Sequence, residues 1–231
     1  MTQHLAFPEV LEAIRNQTTR LLGATIEFSE DDWAAPTALP GWTKSHVAAH
    51  LVEQAHRLAR ALGSSGDPSH PLPEHAQRLE LEQLALDAGL ALQIQLDESA
   101  GALQEVLAKL EGRDEEVQVT PQWRIRAAHI PVLRLRELLV HHYDLIGRTA
   151  FDVRQAVLLT VARFETLRPR REEVPPVLIV ADEGFSARIG EDTGATTTVI
   201  GPLADLCLWL TRGVASENLS GTESVAIPLH A

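Results

Sequence analysis

The segment Pro131 to Arg148, PVLRLRELLVHHYDLIGR, constrains the fold more than any other stretch of the chain. Wound as a helix at about 100° per residue, it places Arg134, Glu137, His141, Asp144 and Arg148 in a stripe roughly 80° wide. Leu138 and Leu145 border one edge of that stripe, Val140 and Leu133 the other. A surface helix shows a broad polar face. One that is apolar round most of its circumference has to be packed on several sides, and its narrow polar line then faces a bundle interior or a cleft. Within the line, Glu137 and His141 stand one turn apart, so a single metal ion can bridge them. The competing reading is a row of intrahelical ion pairs, Arg134–Glu137 and Asp144–Arg148, with His141 merely beside it.

The rest of the N-terminal part supplies partners for such a helix. Val10, Leu11, Ile14, Leu21, Leu22 and Ile26 recur at helical spacing between Pro8 and Phe28. Pro40-Gly41 marks a turn and Thr43 an N-cap, after which Val47, Leu51, Ala55, Leu58 and Leu62 repeat every three or four residues, up to a loop over Gly63 to Pro68. The Leu-, Ala-, Glu- and Gln-rich run from Pro73 to Leu110 predicts a short helix near 74–80 and a long one ending near Gly112. Val117-Gln118-Val119 reads as a short extended piece. Four long helices joined by turns within about 150 residues predict an antiparallel bundle.

The texture changes after Glu173. Pro175-Pro176 precedes VLIVA, the turn Asp182-Glu183-Gly184 and then FSARIG, a hairpin pattern. ATTTVIG reads as a third strand from its β-branched run. Pro202 opens the helix PLADLCLWLTRG, and VAIPL reads as a last short strand. The expectation is a helical domain over 1–150 followed by a small C-terminal α+β domain over 151–231.

Charge and cysteine usage narrow the function classes. The 32 acidic against 20 basic side chains, a net charge of −12, repel phosphate backbones and anionic lipids and argue against nucleic-acid or membrane partners. The single cysteine, Cys207, excludes an internal disulfide framework and a Cys-based zinc knuckle. Lying in LADLCLWL, it reads as a buried, inert core residue. No apolar run reaches the roughly 18–20 residues of a membrane span, and MTQHLAFPEV lacks the basic start and apolar stretch of a secretory signal. A cytoplasmic protein, monomeric or weakly homo-oligomeric, is expected. No Ser/His/Asp elbow or phosphate-cradling glycine loop is visible.

The second helix carries His46 and His50 one turn apart, with His56 further on. His50 sits on the shoulder of the apolar face beside Val47 and Leu58, and His46 lies further toward the polar side. Spacing alone leaves both readable as partly buried helix residues. Joined to Glu137 and His141, however, His50 completes a His₂-Glu set. Three protein ligands leave positions open, as catalytic sites do. Such donors suit Zn²⁺ and tolerate other divalent ions. Arg78 in PEHAQRLE and Arg212 in WLTRG are the cations to watch as carboxylate clamps; surface ion pairs are the alternative for each.

These residues carry a resemblance. The run Trp33…Pro36-Thr37…Leu39-Pro40-Gly41-Trp42-Thr43…His46-Val47…Ala49-His50-Leu51 resembles the N-terminal signature of the mycothiol-dependent maleylpyruvate isomerase family, within the DinB/YfiT-like metal-binding superfamily. Arg136-Glu137-Leu138-Leu139-Val140-His141…Asp144-Leu145 is similar to that family's second motif, and Gly201-Pro202-Leu203-Ala204-Asp205-Leu206…Leu208-Trp209-Leu210 to a motif of its C-terminal domain. The resemblance covers nearly the whole chain in order. It implies a DinB-like four-helix bundle holding a divalent metal, usually zinc, through His50, Glu137 and His141, and a C-terminal domain that caps the site and supplies an arginine, to which Arg212 is the nearest match. Arg78 resembles an arginine in the loop after the family's second helix.

What the resemblance implies chemically is cis–trans isomerisation of maleylpyruvate to fumarylpyruvate, a step of aromatic degradation, with mycothiol as cosubstrate. Rotation about a C=C bond requires its π component to be broken, and a thiolate does this by conjugate addition followed by elimination. With Cys207 in the core, the thiol has to arrive from outside. Metal coordination would deprotonate it, arginines would bind the dicarboxylate substrate, and Asp144 would orient His141. Two other jobs use the same ligands: a mycothiol-dependent S-transferase acting on electrophiles, and a non-catalytic metal-binding stress-response protein.

Overall fold

The computed structural model describes residues 4–63, 72–168, 174–190, 195–225 and 227, with the side chains of 148 and 150 left aside. Contacts divide the chain into two compact units, Phe7–Gly147 and a C-terminal one from Arg148 onward that also takes in the residues before Phe7.

The first unit is helical. It contains α1 (Phe7–Thr25), the single-turn α2 (Glu30–Ala34), α3 (Lys44–Ala61), α4 (Glu74–Leu84), α5 (Gly89–Leu107), a small hairpin of β1 (Glu116–Thr120) and β2 (Trp123–Arg126), and α6 (Ile130–Ile146). Helices α1, α3, α5 and α6 form the bundle: α3 packs on α5 and α6, and α1 on the same two. Val47, Leu51 and Leu58 of α3, Leu92, Leu103 and Leu107 of α5, and Leu135, Leu138 and Leu139 of α6 fill its interior, all essentially inaccessible. At roughly 1.5–3 kcal/mol per fully buried large aliphatic side chain, this interior is the main favourable term in the unit's stability.

The start of α3 is fixed locally. The Thr43 side chain accepts the His46 backbone N–H while the His46 ring reaches back to the Thr43 backbone, a reciprocal capping box. In the first turn, Ser45 Oγ donates to the carbonyl of buried Trp33 at 3.1 Å, and upstream Pro36 bridges Thr43 across the Pro40-Gly41 turn, where Gly41 takes φ 78°.

The C-terminal unit holds α7 (Gln155–Leu167), β3 (Val177–Ala181), β4 (Ser186–Ile189), β5 (Thr197–Gly201) and α8 (Leu203–Arg212). The sheet order is β4-β3-β5. Ile179 of the central strand pairs antiparallel with Ala187 and parallel with Val199. Glu183, in the β3–β4 turn, accepts the backbone N–H of Leu203 at 2.9 Å and so caps α8, which ends at Gly213 in the left-handed conformation. The Leu5 backbone N–H donates to Thr160 Oγ1 of α7 at 3.0 Å, tying the N-terminal residues to this unit.

The observed architecture is mostly helical with a small C-terminal sheet, as the sequence pattern and the resemblance led one to expect. Three local differences stand out. The 155–167 stretch is a helix, α7, that periodicity had not separated from the domain boundary. Trp123–Arg126 adds a second strand opposite Val117-Gln118-Val119. Val225 and Ile227 are buried but belong to no strand, and the rest of VAIPL, like residues 64–68 of the loop after α3, lies outside the described residues. No described helix is long and apolar enough to cross a membrane.

Candidate metal centre

Helix α6 is buried on nearly every side, its charged residues included: Arg134, Arg136, Glu137 and His141 are all 6% exposed or less. Such groups have to find partners within the protein, because an uncompensated buried charge costs several kcal/mol. Their partners define the site.

Glu137 and His141 lie one turn apart on α6, and His50 reaches them from α3. Glu137 Oε2 stands 3.3 Å from His50 Nε2 and 3.3 Å from His141 Nε2, and all three donor atoms lie within 4.8 Å of one another. These separations are long for N–H···O hydrogen bonds, whose mode is about 2.9–3.0 Å. They equal the edge of a tetrahedron whose centre lies about 2.0–2.1 Å from N and O donors, which is about 3.3–3.4 Å. The donors thus suit a divalent ion in type, and two of their three separations match the spacing of bound donors. The two imidazole rings meet edge to face at 4.7 Å between centroids, and the Trp42 ring lies against that of His50 at 5.4 Å.

Two of the three donors are held from behind. His141 Nδ1 lies 2.8 Å from Asp144 Oδ2, whose side chain is 1% exposed. A carboxylate accepts only, so Nδ1 carries a proton, and Nε2 is the nitrogen turned toward Glu137. The other oxygen of Glu137, Oε1, takes a 2.6 Å hydrogen bond from Arg136 Nη1. Burial by itself would raise the Glu137 carboxyl, but the Arg136 charge and the two imidazoles outweigh it and hold the group well below the usual carboxylate range. Burial pushes the His50 imidazole down to about 4 against the pull of Glu137, so its ring is neutral at pH 7 with a lone pair to give.

The ion-pair row considered from the sequence does not form in its first half. Arg134 points across to α3, where Nη1 donates to the Leu51 carbonyl at 2.9 Å and to Gln54 Oε1 at 2.8 Å. It therefore braces α6 against the turn of α3 that carries His50. The Arg148 side chain, in the second half, lies outside the described side chains. His46, the alternative to His50, is occupied at the start of α3: Nδ1 stands 2.7 Å from Thr43 Oγ1, and Nε2 faces Glu82 at 3.5 Å. His56 pairs with Glu80 at 3.1 Å, away from the three donors.

Of the two arginines singled out beforehand, Arg78 is exposed on α4, while its neighbours Gln77 and Glu80 turn toward Arg57 and Arg60 of α3. Arg212 is buried in the last turn of α8 in the C-terminal unit. Cys207 is fully buried in the same helix, its Sγ 3.4 Å from the Leu158 carbonyl, and burial raises its thiol far above the ordinary value. Sequence reasoning assigned no role to Arg134's brace or to Arg136. The signal was present: a basic residue on the apolar side of a helix, as Arg136 is, has to be paired if it is buried.

Residues 12–146, which include the whole of α3 and α6, match the family model of the mycothiol maleylpyruvate isomerase N-terminal domain. Two solved structures resemble the chain over its full length: a crystal structure of the mycothiol-dependent maleylpyruvate isomerase and one of a histidine-to-alanine mutant of it. Each is 19% identical, covers 100% of this chain and 100% of its own, and superposes with a TM-score of 0.81. At that identity the likeness is one of fold. No curated protein matches the sequence. With the family match spanning more than half of the chain and enclosing all three converging donors, the chain belongs to the mycothiol maleylpyruvate isomerase N-terminal domain family.

Proposed function

We propose that this protein is a metal- and thiol-dependent cis–trans isomerase that converts maleylpyruvate to fumarylpyruvate with mycothiol as cosubstrate. The observation that carries the reading is the equal 3.3 Å spacing of Glu137 Oε2 from the two imidazole Nε2 atoms, a donor set of the right chemistry for a divalent ion, most suitably zinc. His50, Glu137 and His141 would hold the ion. Once bound, it would lower the pKa of a coordinating thiol and polarise a keto oxygen.

The chain's own residues do the rest. Asp144 holds a proton on His141 Nδ1, so that Nε2 is the nitrogen presented toward the ion. Trp42 and the apolar faces of α3 and α6 shield the donors from bulk water, which strengthens every charge interaction inside. Cys207 supplies no nucleophile, because its thiol is buried and its ionisation suppressed; the attacking sulfur therefore comes from a cosubstrate. The carboxylates of the substrate need cations, and Arg78 and Arg212 are assigned that role; Arg78→Ala and Arg212→Ala should each raise KM with metal content unchanged.

The test is an assay of the metal-loaded protein with maleylpyruvate, with and without mycothiol. Isomerisation that requires both metal and thiol supports the reading. Conjugation of a model electrophile without isomerisation would assign the site to S-transfer, and no thiol-dependent chemistry at all would leave a metal-binding protein without catalysis.

A further inference from the structure

Arg136 and Glu137 are adjacent in sequence, and neighbours on a helix ordinarily diverge by about 100° and do not meet. Here they meet at 2.6 Å, inside the bundle, with Arg136 2% exposed and the Glu137 side chain 8% exposed. Burying a guanidinium for a surface-type ion pair would be a poor exchange, since desolvation consumes most of the attraction. The contact has a specific consequence. It engages Oε1 and leaves Oε2 as the one oxygen that faces both imidazoles.

We infer that Arg136 is a positioning residue that restricts Glu137 to one-oxygen ligation and so sets the number of open places at the metal. The inference rests on the metal-binding reading above and deepens it. A carboxylate can ligate through one oxygen or both. With Oε1 bonded to a guanidinium, it offers one, and the protein contributes three donor atoms. With Oε1 released, the same carboxylate can swing to ligate through both oxygens, filling a place that a thiol or a keto oxygen would take. The guanidinium also draws negative charge away from Oε2, leaving more of the ion's positive charge to act on a bound thiol. Glu137 is thereby kept ionised and, at the same time, kept from saturating the ion.

The role makes a prediction opposite to that of a merely structural arginine. If Arg136 only held the fold, its loss would loosen Glu137 and weaken metal binding. If it reserves an oxygen, Arg136→Met should bind cobalt(II) at least as tightly as wild type, and up to about tenfold more tightly, since a chelating oxygen is gained and a repelling charge removed. The visible absorption should shift from the intense pattern of four-coordinate cobalt toward the weaker one of five-coordinate cobalt, and a mycothiol-induced spectral change should be lost or much reduced. Arg136→Lys, which keeps a cation beside Oε1, should restore the wild-type spectrum.

X-ray absorption on the zinc-loaded wild-type protein gives an independent reading that does not depend on any variant folding: one carboxylate oxygen, with no short metal–carbon distance of a chelating carboxylate. A two-oxygen carboxylate in wild type, or an Arg136→Met protein with the wild-type cobalt spectrum or with weaker binding, overturns the inference while leaving the metal site standing. A wild-type protein that binds neither zinc nor cobalt overturns the metal reading, and this inference falls with it.

Discussion

Asp144 Oδ2 sits 2.8 Å from His141 Nδ1, three residues back along the same helix, so a buried carboxylate fixes the tautomer of a buried imidazole from within one turn of α6. A ligand supported in this way loses typically 10–100-fold in metal affinity when its support is removed. Asp144→Ala is expected to weaken zinc binding by about that factor, measured by competition with a chromophoric chelator, and Asp144→Asn by less, because an amide oxygen still accepts the Nδ1 proton. Unchanged affinity in Asp144→Ala would remove Asp144 from the site.

Cys207 is completely buried and its thiol is raised far above the ordinary value, by burial first and by Glu165 and Glu183 second. The native protein should resist iodoacetamide at pH 8 and become alkylated only on unfolding. Cys207→Ala should retain any thiol-dependent activity within about twofold, while losing on the order of 1 kcal/mol of stability from the small cavity. Loss of activity in a folded Cys207→Ala protein would place the nucleophile inside the chain after all.

His142, on the side of α6 toward α1, pairs with Gln17 at 2.8 Å, and burial, helped by Arg20, lowers its ring from 6.5 to about 4. Between those two pH values the unfolded chain binds a proton that the native one refuses. Stability is therefore full above about 6.5, falls as the pH drops toward about 4, and levels off below. His50 contributes with the same sign in the metal-free protein. Thermal denaturation of the metal-free protein between pH 8 and 4 should show this decline, and His142→Asn should make it shallower. An equally steep decline in the variant contradicts the assignment.

Gly89 opens α5 against the buried ring of Trp33, and a Cβ at that position would overlap Trp33 at Cδ1 and Nε1. Gly89→Ala should cost about 1–3 kcal/mol or more by overpacking, read as a lower Tm with altered tryptophan fluorescence. A Tm equal to wild type would show that the ring moves aside freely.

The backbone plan was largely legible because its signals are local: Thr43 caps α3, Pro131 lies in the first turn of α6, and the β-branched run 196–200 supplies β5. The convergence of Glu137 and His141 was legible from spacing, since four residues make about one turn of any α-helix. Which histidine of α3 joins them was not, because His46 and His50 differ only by one turn, and the choice depends on which turn of α3 faces α6 once the bundle has packed. Arg134 and Arg136 escaped for a related reason. Angular position on a helical wheel gives the direction of a Cβ, whereas an arginine carries its charge several bonds further. Arg134 uses that reach to cross to α3, and Arg136 uses it to bend back to its own neighbour. The helix α7 was missed because a helix buried on most sides has too weak an amphipathic signal to separate from a connection.

The central claim is tested most directly by metal analysis of the purified wild-type protein beside Glu137→Gln. The account predicts about one equivalent of a divalent ion per chain in wild type, and binding weakened at least about 100-fold in the variant, since a direct ligand matters more than its support. Wild-type protein that takes up no zinc or cobalt at neutral pH, or a Glu137→Gln protein that binds either as tightly as wild type, would contradict it.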